Sequence, residues 1–168
     1  PPLAMLAEVT HRCPLACPYC SNPLEMTARS REMTTQQWAE IFSQAAALGV
    51  LHLHLSGGEP ASRNDLEALT KAGSEAGLYV NLITSGVGIT EPRLAALADA
   101  GLDHLQLSLQ GVNPEKVDLV GGYKGGFDRK MAVAGWTRDL AIPLTLNAVF
   151  HRINMDDLPR MIELALEL

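Results

Sequence analysis

The 168-residue chain lacks several features that would each indicate a class of protein. It has only three cysteines, all in one short segment, which makes a poor disulfide framework and predicts a reducing, cytoplasmic location. Its 13 basic residues are outnumbered by 19 acidic ones, and the net charge of −6 argues against a nucleic-acid groove. No apolar run approaches a membrane span and no signal peptide opens the chain, so we expect neither membranes nor nucleic acids as partners.

Hydrophobic segments and turn residues predict five strands, each followed by a helix. The strands are predicted at 3–9, 50–55, 78–83, 104–109 and 144–150. The helices are predicted at 34–48, 64–77, 90–101 and 128–140 and from 156 onward. Strict alternation predicts a parallel sheet covered by helices, and right-handed crossovers would curl that sheet toward a barrel.

Three local signals refine the helix boundaries. Thr34 with Gln37 forms a capping-box pattern, and Asn64 with Glu67 opens the second helix. The glycine-rich stretch 121–126 is predicted to be a flexible loop ahead of the fourth helix. The chain starts without methionine and stops within a predicted helix, so we expect it to be part of a longer protein.

All three cysteines, Cys13, Cys17 and Cys20, follow the first predicted strand. A cubane iron–sulfur cluster normally takes four cysteines, one per iron. A set of three leaves one iron open, and an open metal position is where substrate chemistry takes place. A zinc site that includes His11 is an alternative from the same residues, as is a redox or buried-thiol role.

Polar or glycine-rich residues follow the other strands too, and ligands of parallel α/β folds lie at the carboxyl ends of strands. In the turn 56–60, two glycines permit close backbone approach, and Glu59 could hold an ammonium group. A plain strand-to-helix turn is the alternative. Hydroxyl and amide groups at later strand ends can bind a ribose or a carboxylate, or satisfy loop backbone: Ser108, Gln110 and Asn147.

The pattern Cys13-x3-Cys17-x2-Cys20, together with Gly57-Gly58-Glu59-Pro60 after the second strand, resembles the radical S-adenosylmethionine (SAM) superfamily. The resemblance covers the whole chain as successive βα units. It implies an α/β fold, a partial (β/α)6 radical SAM barrel that is truncated here after the fifth βα unit. Residues 1–168 would then form an incomplete radical SAM core domain.

The same resemblance implies the cofactors and their ligands. The three cysteines would hold a [4Fe–4S] cluster, and SAM would chelate the open iron through its amino and carboxylate groups. Gly58 and Glu59 would contact the methionyl ammonium, and Tyr19 would lie near the adenine. The carboxylate and ribose region would be lined by Ser85, Ser108, Gln110 and Asn147. Reduction of the cluster would cleave SAM to a 5′-deoxyadenosyl radical that abstracts hydrogen from the substrate.

A closer resemblance, to the PqqE family of pyrroloquinoline quinone (PQQ) biosynthesis, rests on residues 13–24, which read CPLACPYCSNPL. Residues 81–86 and 146–154 share it, as does Gln110, where many relatives carry aspartate. This family links the glutamate γ-carbon to the tyrosine ring of a precursor peptide, PqqA, which the chaperone PqqD delivers. We expect a flavodoxin-like or similar electron donor. Auxiliary iron–sulfur clusters are expected only in a C-terminal domain, whose cysteines this chain lacks.

Two other functions stay open at this point. One is a different peptide-modifying radical SAM enzyme, which would form a thioether or another carbon crosslink. The other is a zinc-binding interaction module without catalytic activity, built on the same three cysteines.

Overall fold

The five strands form one parallel sheet in the order β1-β2-β3-β4-β5. The computed structural model describes residues 2–22 and 26–168, so Pro23 and Leu24 of the cysteine motif lie outside the described residues. The strands are β1 (Ala4–Glu8), β2 (His52–Ser56), β3 (Tyr79–Thr84), β4 (His104–Ser108) and β5 (Leu144–Asn147). The predicted α/β fold with five parallel strands is therefore confirmed.

Helices connect every pair of neighbouring strands. They are α1 (Thr35–Ala47), α2 (Leu66–Glu75), α3 (Glu91–Asp99), α4 (Pro114–Gly121), α5 (Gly126–Asp139) and α6 (Leu158–Glu167). Short 3-10 turns lie at Arg29–Arg31, Pro60–Ser62 and Met155–Asp157. Among the described helices, none combines the length and the hydropathy that crossing a membrane requires.

The hydrophobic core lies between the sheet and the helices. Each strand places alternate side chains on the helix side, where Leu53, Leu82 and Leu107 are fully buried. Phe42 of α1 and Leu69 of α2 are equally inaccessible. Each such side chain contributes roughly 1.5–3 kcal/mol by leaving water, so this layer fixes the positions of the strand ends.

The opposite face of the sheet is polar. His54 of β2 lies beside Asn81 of β3, with His54 Nδ1 2.9 Å from Asn81 Nδ2. His104 of β4 lies 2.9 Å from the Thr145 hydroxyl of β5. Sequential strand order with right-handed crossovers places the helices on one side, and polar residues occupy the side that they leave uncovered.

The two predicted helix starts differ in outcome. The capping box is confirmed: Thr34 Oγ1 accepts from the Gln37 N–H at 3.3 Å, and Gln37 Oε1 accepts from the Thr34 N–H at 2.9 Å. The start at Asn64 is wrong, because α2 begins at Leu66. Asp65 precedes it, and its carboxylate accepts from the Arg63 and Thr35 side chains instead of capping the helix.

The glycine-rich stretch also differs from its prediction. Gly121 is the last residue of α4, a helix that the sequence analysis missed, and Gly126 is the first residue of α5. Asn113 caps α4, with Oδ1 accepting from the Lys116 N–H at 3.0 Å. Only a short turn remains, with Gly122 in the left-handed region at φ 62°. The predicted fifth strand was too long as well, since β5 ends at residue 147.

Candidate cofactor site

A cavity of about 380 Å³ lies at the carboxyl ends of the strands, beside the loop that carries the cysteines. Eight of the ten side chains proposed from the sequence line it: Cys17, Tyr19, Cys20, Gly58, Ser85, Ser108, Gln110 and Asn147. The described residues that line it do not include Cys13 or Glu59. Glu8 and Ser56, the paired last residues of β1 and β2, also line the cavity and were not predicted as site residues.

The cysteine loop rests directly on the turn after β2. The Gly58 N–H donates to the Thr10 carbonyl at 2.7 Å, and the Glu59 N–H donates to the Arg12 carbonyl at 2.7 Å. A Cβ on Gly58 would lie 2.5 Å from the carbonyl oxygens of His11 and Arg12. Glycine is therefore needed here because two backbone segments pass closer than any side chain allows.

The loop is held from a second side by the end of α4. The Ala16 N–H donates to the Gly121 carbonyl at 2.8 Å, and Gly122 packs against the Ala16 side chain. Within the loop, the Cys20 N–H donates to the Cys17 carbonyl at 3.0 Å and closes a turn between these two cysteines. The glycines of the missed helix end therefore support the cysteine loop.

The three thiols differ in exposure. Cys13 and Cys17 are partly buried and Cys20 is exposed. Burial raises the pKa of the Cys13 and Cys17 thiols above the ordinary value. These two groups are therefore held more firmly in the protonated state, and any metal that they held would have to displace their protons.

The described cysteine loop can also be compared with a site for one metal ion. Within residues 2–22 and 26–168, no three histidine, cysteine or carboxylate side chains are grouped so that they could hold one metal ion. His11 Nδ1 instead accepts a hydrogen bond from the Thr27 N–H at 3.1 Å. A cubane cluster places each thiolate on a different iron, so its ligands need not converge on one point.

Glu59 is buried, with 1% of its surface exposed, and its carboxylate is already occupied. Oε1 accepts from the Ala61 N–H at 3.0 Å and the Thr84 hydroxyl at 2.6 Å. Oε2 accepts from the Ser85 N–H at 2.7 Å and the Ser85 hydroxyl at 2.5 Å. The three bonds from Thr84 and Ser85 tie the turn after β2 to the end of β3, and direct contact of Glu59 with an ammonium group stays a prediction.

Gln110 and Tyr19 lie at the edge of the cavity near β5. Burial raises the pKa of Tyr19 to about 12, against the opposing effect of a hydrogen bond with Gln110. The Tyr19 ring also contacts His151, with ring centroids 5.4 Å apart. Among the described residues, the buried Oε1 of Gln110 has no hydrogen-bond partner. A buried acceptor left unpaired costs about 1–3 kcal/mol, and a ligand donor would remove that penalty.

Lys130 of α5 was missed by the sequence analysis although it lies beneath the site. It is fully buried, and its Nζ donates to the Ser85 carbonyl at 2.7 Å and to the Ser108 carbonyl at 2.9 Å. Burial lowers the pKa of Lys130 to about 8, while the negative charge of Glu59 opposes that shift. A signal was available, since Lys130 shares the buried face of the helix with Val133 and Ala134.

The residues present fit an iron–sulfur cluster with an organic ligand on its open iron. Three thiols supply the soft donors that iron–sulfur clusters take. Gly58 lines the cavity next to them, and the unpaired Oε1 of Gln110 supplies an acceptor for a polar ligand.

Comparison with known proteins gives a family match and close relatives. The model of the Radical SAM superfamily matches residues 7–165. The PqqA peptide cyclases of Rhizobium meliloti and Ruegeria pomeroyi are both 68% identical, over 100% and 99% of this chain. The chain spans 45% of the length of each of these relatives. Streptococcus suis SuiB bound to S-adenosylmethionine shares the fold, with a TM-score of 0.87 and 22% identity over 99% of this chain and 38% of its own.

Proposed function

Because this chain belongs to the radical SAM superfamily, we propose that it is the catalytic core of a PqqA peptide cyclase. The enzyme would join a Glu and a Tyr side chain of the precursor peptide during PQQ biosynthesis. Membership of the superfamily implies a [4Fe–4S] cluster and SAM. When bound, these cofactors supply a 5′-deoxyadenosyl radical that removes a hydrogen atom from the peptide.

The single observation that carries the proposal is the convergence of eight separately predicted residues on one cavity. They come from the cysteine loop and from the ends of β2, β3, β4 and β5, which are far apart in sequence. The 68% identity to relatives named PqqA peptide cyclase favours this activity over other radical SAM reactions.

In this proposal Cys13, Cys17 and Cys20 hold the cluster, and each gives up its proton on binding iron. The Gly58 backbone keeps the loop against the turn after β2, which sets the distance between the thiolates and the polar strand ends. Glu59 acts through the turn that it stabilises, because its oxygens are satisfied within the protein.

The polar strand ends would orient SAM. Gln110 presents a buried carbonyl oxygen without a partner, which suits an N–H or O–H donor of the ligand. Ser85, Ser108 and Asn147 add hydroxyl and amide groups around the same cavity, for the carboxylate and the ribose. The partly buried Tyr19 offers an aromatic face for the adenine.

The remaining parts of the reaction belong to the whole protein and are proposed from the family. PqqA is the substrate, PqqD delivers it, and a flavodoxin-like donor reduces the cluster. Auxiliary clusters in a C-terminal domain are proposed from the resemblance to the PqqE family alone.

The test is anaerobic reconstitution of the protein, including any sequence that follows Leu168, with metal analysis and a turnover assay. The expected result is iron and sulfide bound through the three cysteines and reductant-dependent formation of 5′-deoxyadenosine. Bound zinc without iron or sulfide would favour the interaction module instead. Formation of 5′-deoxyadenosine with an unchanged mass of PqqA would favour another peptide-modifying enzyme of the superfamily.

A further inference from the structure

Lys130 is a lysine in a place where lysines are rarely found. It is 0% exposed, as are Val133, Ala134 and Thr137, which share its face of α5. Burying an ammonium group is expensive unless hydrogen bonds and opposite charges compensate it. Both are present here, and the proposed chemistry makes no use of this residue so far.

We propose that Lys130 is a positioning residue of the cofactor site, which joins the ends of β3 and β4 under the cavity and places a positive charge behind the cysteine loop. This inference rests on the proposed function, because it assigns Lys130 to the site that would hold the cluster and SAM.

The ends of β3 and β4 meet at the Lys130 ammonium group. The β3–β4 pairing ends with Thr84 opposite Leu107. The next residue of each strand, Ser85 and Ser108, lines the cavity. Lys130 Nζ donates to both of their carbonyls, at 2.7 and 2.9 Å. It thereby joins the two strands at the point where their pairing ends. The Lys130 ammonium group therefore fixes the backbone that positions the Ser85 and Ser108 side chains in the cavity.

The second part is a continuous chain of hydrogen bonds from Lys130 to the cysteine loop. Ser85, held through its carbonyl, donates its N–H and its hydroxyl to Glu59. The Glu59 N–H then donates to the Arg12 carbonyl, directly before Cys13. A disturbance at Lys130 therefore reaches the polar strand ends and the metal-binding loop through bonds that are already formed.

The third part is charge. Burial disfavours the protonated form of Lys130, and the carboxylates of Glu59, from the turn after β2, and of Asp118, from α4, favour it. A positive charge at this position stabilises thiolates and an added electron on a cluster that they hold, so it raises the reduction potential.

The experiment compares three variants in the reconstituted holoenzyme. Lys130→Met removes the donors and the charge, and Lys130→Gln removes the charge but keeps amide donors. Lys71→Met is the control, since the Lys71 side chain is 65% exposed on α2 and forms a surface ion pair with Glu75. The readouts are the dissociation constant of SAM, the reduction potential of the cluster and the thermal unfolding temperature.

We expect Lys130→Met to weaken SAM binding at least tenfold and to shift the reduction potential to more negative values. Lys130→Gln should recover part of the SAM affinity while its potential stays as negative as that of Lys130→Met. Wild-type affinity and potential in either folded Lys130 variant would overturn the inference, as would equal changes in Lys71→Met. If Lys130→Met does not fold, Lys130→Gln decides alone, because its amide can still donate to the two carbonyls that Lys130 bonds. A wild-type protein that binds no iron and forms no 5′-deoxyadenosine would contradict the proposed function itself.

Discussion

Replacement of Gly58 by alanine is the sharpest perturbation that the site allows. The added Cβ would lie 2.5 Å from the His11 and Arg12 carbonyl oxygens, and both oxygens belong to backbone that cannot rotate away. Ordinary carbon–oxygen contacts begin at about 3.3 Å, so the cysteine loop must move away from the added Cβ by roughly 1 Å. That movement stretches the bond from the Glu59 N–H to the Arg12 carbonyl and displaces Cys13.

The size of the effect follows from these two changes. Forcing a methyl group into a filled space costs about 1–3 kcal/mol. The weakened backbone hydrogen bond adds roughly 0.5–1.5 kcal/mol. A total near 2–4 kcal/mol corresponds to a fall of about 5–15 °C in the unfolding temperature of a chain of this length. The three thiols would also lose their spacing, so iron and sulfide per chain should fall to less than about half of the wild-type values.

Gly135→Ala is the matched control, because it is the same substitution in the interior of α5, where a Cβ meets nothing within 4 Å. Alanine in a helix interior is favoured over glycine by roughly 0.5–1 kcal/mol, so this variant should be slightly more stable than wild type. Thermal unfolding and iron and sulfide analysis of both variants form the assay. If Gly58→Ala keeps wild-type stability and cluster content, the close approach at Gly58 does not hold the loop.

Three further predictions concern single residues. Partial burial acts to raise the pKa of Asp65, but hydrogen bonds from Arg63 and Thr35 outweigh it and lower the pKa from 3.8 to about 2. The stability that the Asp65 carboxylate contributes is thus complete above pH 4 and is lost as pH falls through 2. Between these pH values the urea midpoint should therefore fall less steeply with pH in Asp65→Asn than in wild type, and equal slopes for the two proteins would contradict this. Asn154→Ala should lower the free energy of unfolding by about 2–3 kcal/mol, because the buried Asn154 amide donates to two carbonyls and accepts from one N–H. A clearly smaller loss in urea unfolding would show that these three hydrogen bonds contribute little to stability. Gln110→Leu should change the unfolding temperature of the metal-free protein little, because it removes an unpaired buried oxygen but also the hydrogen bond with Tyr19. It should weaken SAM binding about tenfold, and unchanged affinity by equilibrium dialysis would exclude Gln110 from the site.

Much of the fold and of the cavity was predictable because the signals are local. The alternation of strands and helices defines a parallel sheet, and the carboxyl ends of parallel strands meet at one edge. Residues that follow separate strands, such as Cys17, Gly58 and Gln110, therefore meet at one cavity although they are far apart in the chain. The missed helix α4 also had a local signal, since Asn113 and Pro114 form a cap and a first turn.

The features that the sequence did not reveal depend on distant partners. Glu59 accepts three of its four hydrogen bonds from Thr84 and Ser85 at the end of β3, so these three cannot be inferred from the turn in which it lies. Lys130 is placed on the surface by any rule based on residue type, because lysine is almost never fully buried unless it is paired. Its position at the start of the buried stripe with Val133 and Ala134 was the only indication, and the two carbonyls that it bonds come from different strands.

The central claim is tested most directly by tandem mass spectrometry of PqqA after anaerobic incubation with the reconstituted protein, SAM, PqqD and a reductant. The prediction is a peptide lighter by two hydrogen atoms, with fragments that place a bond between a Glu γ-carbon and a Tyr ring. The same incubation with Cys17→Ala should leave the peptide unchanged, since the cluster loses a ligand. An unmodified peptide from wild-type protein that holds its cluster and forms 5′-deoxyadenosine would contradict the claim.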